Sequence, residues 1–177
     1  LGSAVADKTL GIIGPGKIGT AVAERAAGFR MNVFYHGNRK KENFPGKHLS
    51  LDSLLEQSDF VSMHIPLNES TQYYCDSGFF SKMKRNAIFI NTGRGGLVDQ
   101  VDLISALTNQ TIAGAGIDVM DPEPLPANHP LLNLQNCTIT PHIGSATLET
   151  RLAMSNLVTD SIIAAIEGTT PPNLVNP

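Results

Sequence analysis

The chain has 177 residues, of which 41% are hydrophobic and 16% charged. That size suits one domain with its own core, and the balance of apolar and charged residues excludes a disordered or fibrous chain. A formal net charge of -3 argues against nucleic acid or an anionic membrane as the main partner, and no apolar run approaches the roughly 20 residues that span a bilayer.

Thr9–Ile13 is predicted to be a buried strand, followed by a helix over residues 18–29 with Ile18, Val22, Arg25 and Ala26 on related faces. A second strand is expected over 31–35, a short helix over 52–57 and a strand over 60–65. Residues 79–83 read as helix, 87–91 as strand, 99–108 as helix and 112–119 as strand. The Pro-rich run 121–126 is expected to be an extended loop, because each residue before a proline is pushed out of the helical region. A strand over 137–140 and a long helix over 147–167 complete the pattern, with Gly168 and Pro171-Pro172 ending the helix. Strand–helix alternation of this kind predicts an α/β fold, a doubly wound parallel sheet with helices on both faces. The expected division is a dinucleotide-binding domain over 1–168 and a C-terminal tail over 169–177.

Gly14-Pro15-Gly16-Lys17-Ile18-Gly19 fits the G-x-G-x-x-G pattern and lies between a predicted strand and a predicted helix, the setting its mechanism requires. Gly14 suits the tight turn, Gly16 lets backbone approach a pyrophosphate, and Gly19 lets the helix pack close to the strand. The helix N-terminus, with Lys17 and Ile18, then offers free N–H groups to the anion. The alternative is a glycine-rich turn with no ligand. NAD binders carry an acid about 20 residues further on, to bond the ribose 2′-hydroxyl. This chain reads Tyr35-His36-Gly37-Asn38-Arg39-Lys40-Lys41 instead. Arg39 suits a bidentate pair with a 2′-phosphate, Asn38 a hydrogen bond, and Lys40 or Lys41 a point charge, so NADP(H) is the expected cofactor, with NAD(H) as the alternative. A solvated basic loop is the other reading of those residues.

Cys75 and Cys137 have no metal-like spacing and read as small buried hydrophobes, which fits a reducing, cytoplasmic setting. His36, His48, His64 and His129 have no ligand spacing either and read as structural or surface residues, and no metal is expected. Arg94, Glu123 and His142 lie at or beyond the carboxyl ends of predicted strands, where open α/β sheets bind ligands. Taken singly, they also read as a surface charge, a loop acid and a satisfied interior histidine.

Together with the fingerprint, three ordered stretches carry a resemblance. They are Asn91-Thr92-Gly93-Arg94-Gly95-Gly96-Leu97-Val98-Asp99, Gly116-Ile117-Asp118-Val119-Met120-Asp121-Pro122-Glu123-Pro124 and Pro141-His142-Ile143-Gly144-Ser145-Ala146. With them the chain resembles the D-isomer-specific 2-hydroxyacid dehydrogenases, on the glyoxylate/hydroxypyruvate reductase side, over nearly all its length. The resemblance implies a catalytic set of Arg94, Glu123 and His142, with Asp118 at the nicotinamide end of the cofactor. It implies that Pro66, Thr71, Thr92, Gly93 and Gly144 line the cofactor site. Arg94, His142 and Ser145 would meet a small 2-oxo or 2-hydroxy acid, although Ser145 reads more simply as the cap of the long helix. Relatives of this kind have a second, substrate-binding domain and dimerise through the dinucleotide domain. The resemblance therefore implies an N-terminal domain absent from this chain, a homodimer, and little turnover by the chain alone. The alternatives are an inert dinucleotide-binding and dimerisation module, or a pseudo-enzyme that responds to NAD(H).

Overall fold

The computed structural model describes residues 2–174. It forms two compact units, Leu1–Pro141 and His142–Pro177. The first holds a seven-stranded, all-parallel sheet in the order β3-β2-β1-β4-β5-β6-β7. The strands are β1 (Thr9–Ile13), β2 (Asn32–His36), β3 (Lys47–His48), β4 (Phe60–Met63), β5 (Ile88–Asn91), β6 (Gly114–Ile117) and β7 (Cys137–Ile139). Four helices join them: α1 (Lys17–Ala26), α2 (Leu51–Gln57), α3 (Ser77–Lys82) and α4 (Gln100–Thr108).

Alternation along β1 sorts the core into two layers. Leu10 and Ile12 pack with Ala23 and Ala26 of α1, while Ile13 packs with Leu54 and Leu55 of α2. The α2 side is the larger core and continues through α3 and α4. There Phe79, Phe80 and Phe89 meet edge to face at 5.3–5.9 Å. On the α1 side an apolar trough of about 410 Å³ lies between α1 and the middle strands, lined by Leu10, Val22, Phe29, Phe60 and Ile90.

The predicted elements are present with small shifts at their ends. The helix expected over 18–29 ends at Ala26 and tightens into a 3₁₀ turn, Ala27–Phe29, closed by Arg30 in the left-handed region. The two-residue β3 was not predicted. It is an edge strand whose only partner is β2, and Lys47-His48 carries no apolar alternation. The 3₁₀ turns Gly95–Leu97 and Pro130–Asn133 were also unforeseen.

The second unit contains α5 (Leu148–Ile166). Its N-cap is Thr147, whose hydroxyl accepts from the Thr150 amide at 3.2 Å, so the cap expected at Ser145 belongs two residues later. Of the tail expected over 169–177, residues 175–177 lie outside the described residues. Among the described residues no helix is long and apolar enough to cross a membrane.

Asp59 ties together the amino ends of three strands. Its carboxylate accepts from the Thr9 amide and from Lys84 Nζ, both at 2.9 Å, and its carbonyl accepts from the Ile88 amide. Burial by itself would raise this carboxyl. The Thr9 amide, the hydrogen bond and charge of Lys84, and the charge of Lys8 outweigh it and hold the group below the ordinary carboxylate value. A depressed folded-state value means that the unfolded chain binds the extra proton on acidification. The stabilisation is therefore complete above the ordinary carboxylate value of about 4 and is lost as pH falls further. Asp59→Ala is expected to cost about 1–3 kcal/mol in urea unfolding at neutral pH and to flatten the stability profile below about pH 4.

Candidate functional site

The site begins where β1 ends. Gly14 adopts φ +100, and its amide donates to the His36 carbonyl at 3.0 Å. A Cβ on Gly14 would lie 2.6 Å from the His64 backbone, so both the conformation and the close approach require glycine. A Cβ on Gly19 would strike the Gly14 carbonyl, which fixes how closely α1 sits on the turn.

Gly16 differs from both. It is the N-cap of α1 with φ -73, a value open to any residue, and a Cβ there would meet nothing within 4 Å. Neither backbone nor packing calls for glycine, and the space above it is open. Helices α2 to α5 have side-chain caps from Ser50, Asp76, Asp99 and Thr147, whereas Gly16 provides none for α1. The first amides of α1, with Lys17 and Ile18 exposed beside them and no acid in the first turn, thus present their N–H groups to an anion. These residues fit a dinucleotide pyrophosphate.

Three clefts open along this carboxyl rim. The first, about 400 Å³, lies between the glycine turn and the loop after β2 and is lined by Gly14, Gly16, Asn38, Arg39, Lys40, Lys41 and Pro66. Lys41 Nζ donates to the Pro15 carbonyl at 2.8 Å and to Thr20 Oγ1 at 2.9 Å, so it fastens the basic loop to the turn. Among the described residues the side chains of Arg39 and Lys40 make neither hydrogen bond nor ion pair, and both remain for a ligand. The second cleft, a recess of about 230 Å³, is lined by His36, Asn38, Pro66, Ser70, Thr71 and Tyr74. The Thr71 hydroxyl donates to the Pro66 carbonyl at 2.7 Å and so shapes that wall. The third, about 560 Å³, brings Ile18 together with Pro66, Thr92, Gly93 and Arg94.

Arg94 is exposed just past β5, and its backbone is held by a residue that the sequence reading did not single out. Buried Asn91 donates from Nδ2 to the Arg94 carbonyl at 2.9 Å and accepts from the Gly93 amide at 3.0 Å. A polar residue closing the apolar strand Ile88–Asn91 was the available signal. Gly95 lies so close to the Met120 carbonyl that no side chain fits, which presses this loop against the one after β6. There Asp118 is buried, with its amide on the Asn91 carbonyl and its carboxylate accepting from the Thr140 hydroxyl. Glu123 Oε2 accepts from the Met120 amide at 3.1 Å. Arg94, Asp118 and Glu123 thus stand on adjoining loops of the first unit. His142, Gly144 and Ser145 belong to the second unit, which His142 opens with φ +53.

The sequence reads His64 as a structural or surface residue. It borders both the turn cleft and the Arg94 cleft, within 2.9 Å of Ser62 Oγ, and burial lowers its pKa, which favours the neutral ring. Burial pushes both thiols up, Cys137 to about 11, which agrees with unreactive cysteines. A larger cleft of about 890 Å³ lies at the opposite edge of the sheet, but Arg85 is the only charged residue in its lining. Among the described residues no group of His, Cys, Asp or Glu is placed to hold a metal.

A parallel α/β sheet with a glycine turn feeding an uncapped helix defines a dinucleotide-binding domain. Residues 1–144 match the family model described as D-isomer specific 2-hydroxyacid dehydrogenase, NAD binding domain, and the chain belongs to that family. It is 47% identical over 180 residues to a glyoxylate reductase of Korarchaeum cryptofilum, covering 99% of this chain and 54% of that protein. The TT0316 protein of Thermus thermophilus superposes with TM-score 0.95 at 46% identity, covering 99% of this chain and 56% of the other. An NADPH-dependent glyoxylate/hydroxypyruvate reductase of Sinorhizobium meliloti, in complex with NADP and malonate, gives 0.84 at 36%, covering 89% and 49%. The chain spans about half the length of the curated relatives it matches.

Gly16→Ala isolates the ligand's demand on the turn. Binding of NADPH or NADH, followed by nucleotide fluorescence, is expected to weaken at least about tenfold while the melting temperature stays within about 2 °C. Unchanged binding would remove Gly16 from the site.

Proposed function

We propose that this chain is the NADP(H)-binding, catalytic-residue-bearing half of a reductase of short 2-oxo acids of the glyoxylate or hydroxypyruvate type. The observation that carries the reading is the shared cleft in which Ile18, next to the glycine turn, and Arg94 line one cavity. When bound, the dinucleotide supplies hydride to the carbonyl carbon or takes it up in reverse. Arg94 grips the substrate carboxylate with a planar fork and polarises the carbonyl. His142 gives the proton that the developing alkoxide needs, and Glu123 is the third member of the catalytic set. Asp118, Thr92, Gly93 and Gly144 serve the nicotinamide end, and Pro66 and Thr71 the adenosine end. Ser145 contributes to the substrate site.

The preference for NADP(H) rests on charge. The loop after β2 offers Arg39 and Lys40 to the turn cleft and no acid, and a carboxylate there would repel a 2′-phosphate. NADPH is expected to bind more tightly than NADH. Arg39→Ala is expected to weaken NADPH about tenfold or more and to leave NADH unchanged in paired titrations. Equal losses for both, or none, would remove the 2′-phosphate assignment.

Catalysis is tested by joining this chain to the part of the Korarchaeum cryptofilum glyoxylate reductase that it does not match and following NADPH consumption with glyoxylate and with hydroxypyruvate. The joined protein is expected to turn over and this chain alone to bind without turnover, because closure of a cleft completes the geometry. Arg94→Ala should lower kcat/KM about 10²–10³-fold, and His142→Asn about 10²–10⁴-fold. A folded, nucleotide-binding fusion without turnover on either acid would end the enzymatic reading.

A further inference from the structure

The residue at which dinucleotide folds choose their cofactor is the last of β2, about 20 residues beyond the glycines. Here it is His36, which pairs with Ile13 across the sheet and accepts the Gly14 amide on its carbonyl. Its ring is fixed on two sides. Nδ1 lies 3.1 Å from the Leu49 carbonyl, and a carbonyl only accepts, so Nδ1 carries the hydrogen. The ring stacks on His48 at 6.4 Å with an interplanar angle of 6°. His48 is held in turn, with Nε2 donating to the Gly37 carbonyl at 3.4 Å and its ring 5.1 Å from that of Tyr35. Among the described residues His36 Nε2 has no hydrogen-bond partner, and His36 lines the recess together with Asn38 and Thr71.

A neutral ring so tautomerised presents a bare acceptor at Nε2. A charged ring presents a donor at the same atom. We propose that His36 reads the 2′ position of the adenosine ribose in both chemical forms, grading the preference between the two cofactors with pH. Neutral Nε2 accepts from the 2′-hydroxyl of NAD(H), and the imidazolium Nε2–H donates to the 2′-phosphate of NADP(H) in a charge-assisted bond. The inference rests on the dinucleotide reading of this rim, and its phosphate arm on the assignment of Arg39.

The titratable groups beside the ring are His48, stacked on it from β3, and Tyr74, which lines the same recess from the loop after β4. Arg39, Lys40 and Lys41 line the neighbouring turn cleft, which shares Gly37, Asn38, Ile65 and Pro66 with that recess. Burial pushes the Tyr74 phenol up and keeps it neutral. Glu42 and Glu69 lie exposed on the two loops, Lys47 is exposed at the start of β3, and Ile13 of β1 brings no charge. A 2′-phosphate bound where the recess meets the basic turn cleft brings a dianion to the ring, and its binding draws a proton onto it.

The test measures the ratio of NADH to NADPH dissociation constants between about pH 8 and pH 6, in this chain and in His36→Asn. Asparagine keeps a polar side chain and cannot titrate. Protonation of the free phosphate near pH 6 is common to both proteins and cancels in the comparison. The ratio should shift towards NADPH on acidification about three- to tenfold more in the unaltered chain than in His36→Asn. Equal slopes would overturn the proposal. Ring-proton NMR of the unaltered chain gives a second reading that needs no variant. NADPH should shift the His36 titration to higher pH and NADH should not, and a titration unmoved by NADPH would overturn it as well. Tighter binding of NADH than of NADPH at every pH, with slopes that still differ, would sink the Arg39 assignment and leave His36 standing.

Discussion

The constraint on which the rest depends is the close approach of backbone to backbone at the end of β1. Gly14 lies against the backbone of His64, Gly19 lies under the carbonyl of Gly14, and neither position has room for a methyl group. Because β1 stands between β2 and β4 in the sheet, this one contact sets the heights of both neighbouring strand ends. It aims the uncapped end of α1 along the rim and brings the loops after β2 and β4 within reach of the same ligand. A methyl group at Gly14 or Gly19 would act on the whole rim at once, whereas one at Gly16 meets only open space.

Charge is distributed along the rim in keeping with that geometry. The basic loop after β2 is fastened to the glycine turn by Lys41, which leaves Arg39 and Lys40 for an anion. At the other end, Asn91 fixes the backbone of Gly93 and Arg94 with one hydrogen bond each and does not touch the guanidinium. In both places a polar side chain fastens a loop beside a cation, and at the second Arg94 Nη1 also donates to the Gly93 carbonyl at 2.7 Å. That division of labour fits a site which must hold its shape before the ligand arrives.

Much of this was legible in the sequence, for identifiable reasons. β1, β4, β5 and β6 are short, apolar and flanked by turn residues, and the glycine fingerprint sits where its mechanism requires, so fold and turn were both readable. β3 was not, since two residues at a sheet edge leave no periodic trace. The cap of α5 was misplaced because Ser145 and Thr147 are both competent capping residues, and only the path of the chain chooses Thr147. His36 and His64 read as structural or surface residues, because their spacing matches no ligand pattern. Their contacts, to Leu49, His48 and Ser62, depend on strand register and loop path, which composition does not encode.

The apolar trough beside α1 bears on how this protein must be handled in solution. Its walls include Val22, Phe29, Phe60 and Ile90, side chains of the kind that reporter dyes for exposed hydrocarbon bind. Such dyes will glow on the intact molecule, so a thermal scan based on them starts from a bright baseline, and brightness alone is no sign of a molten state. Unfolding of this chain is better followed by far-ultraviolet ellipticity or by calorimetry, which do not report on that surface.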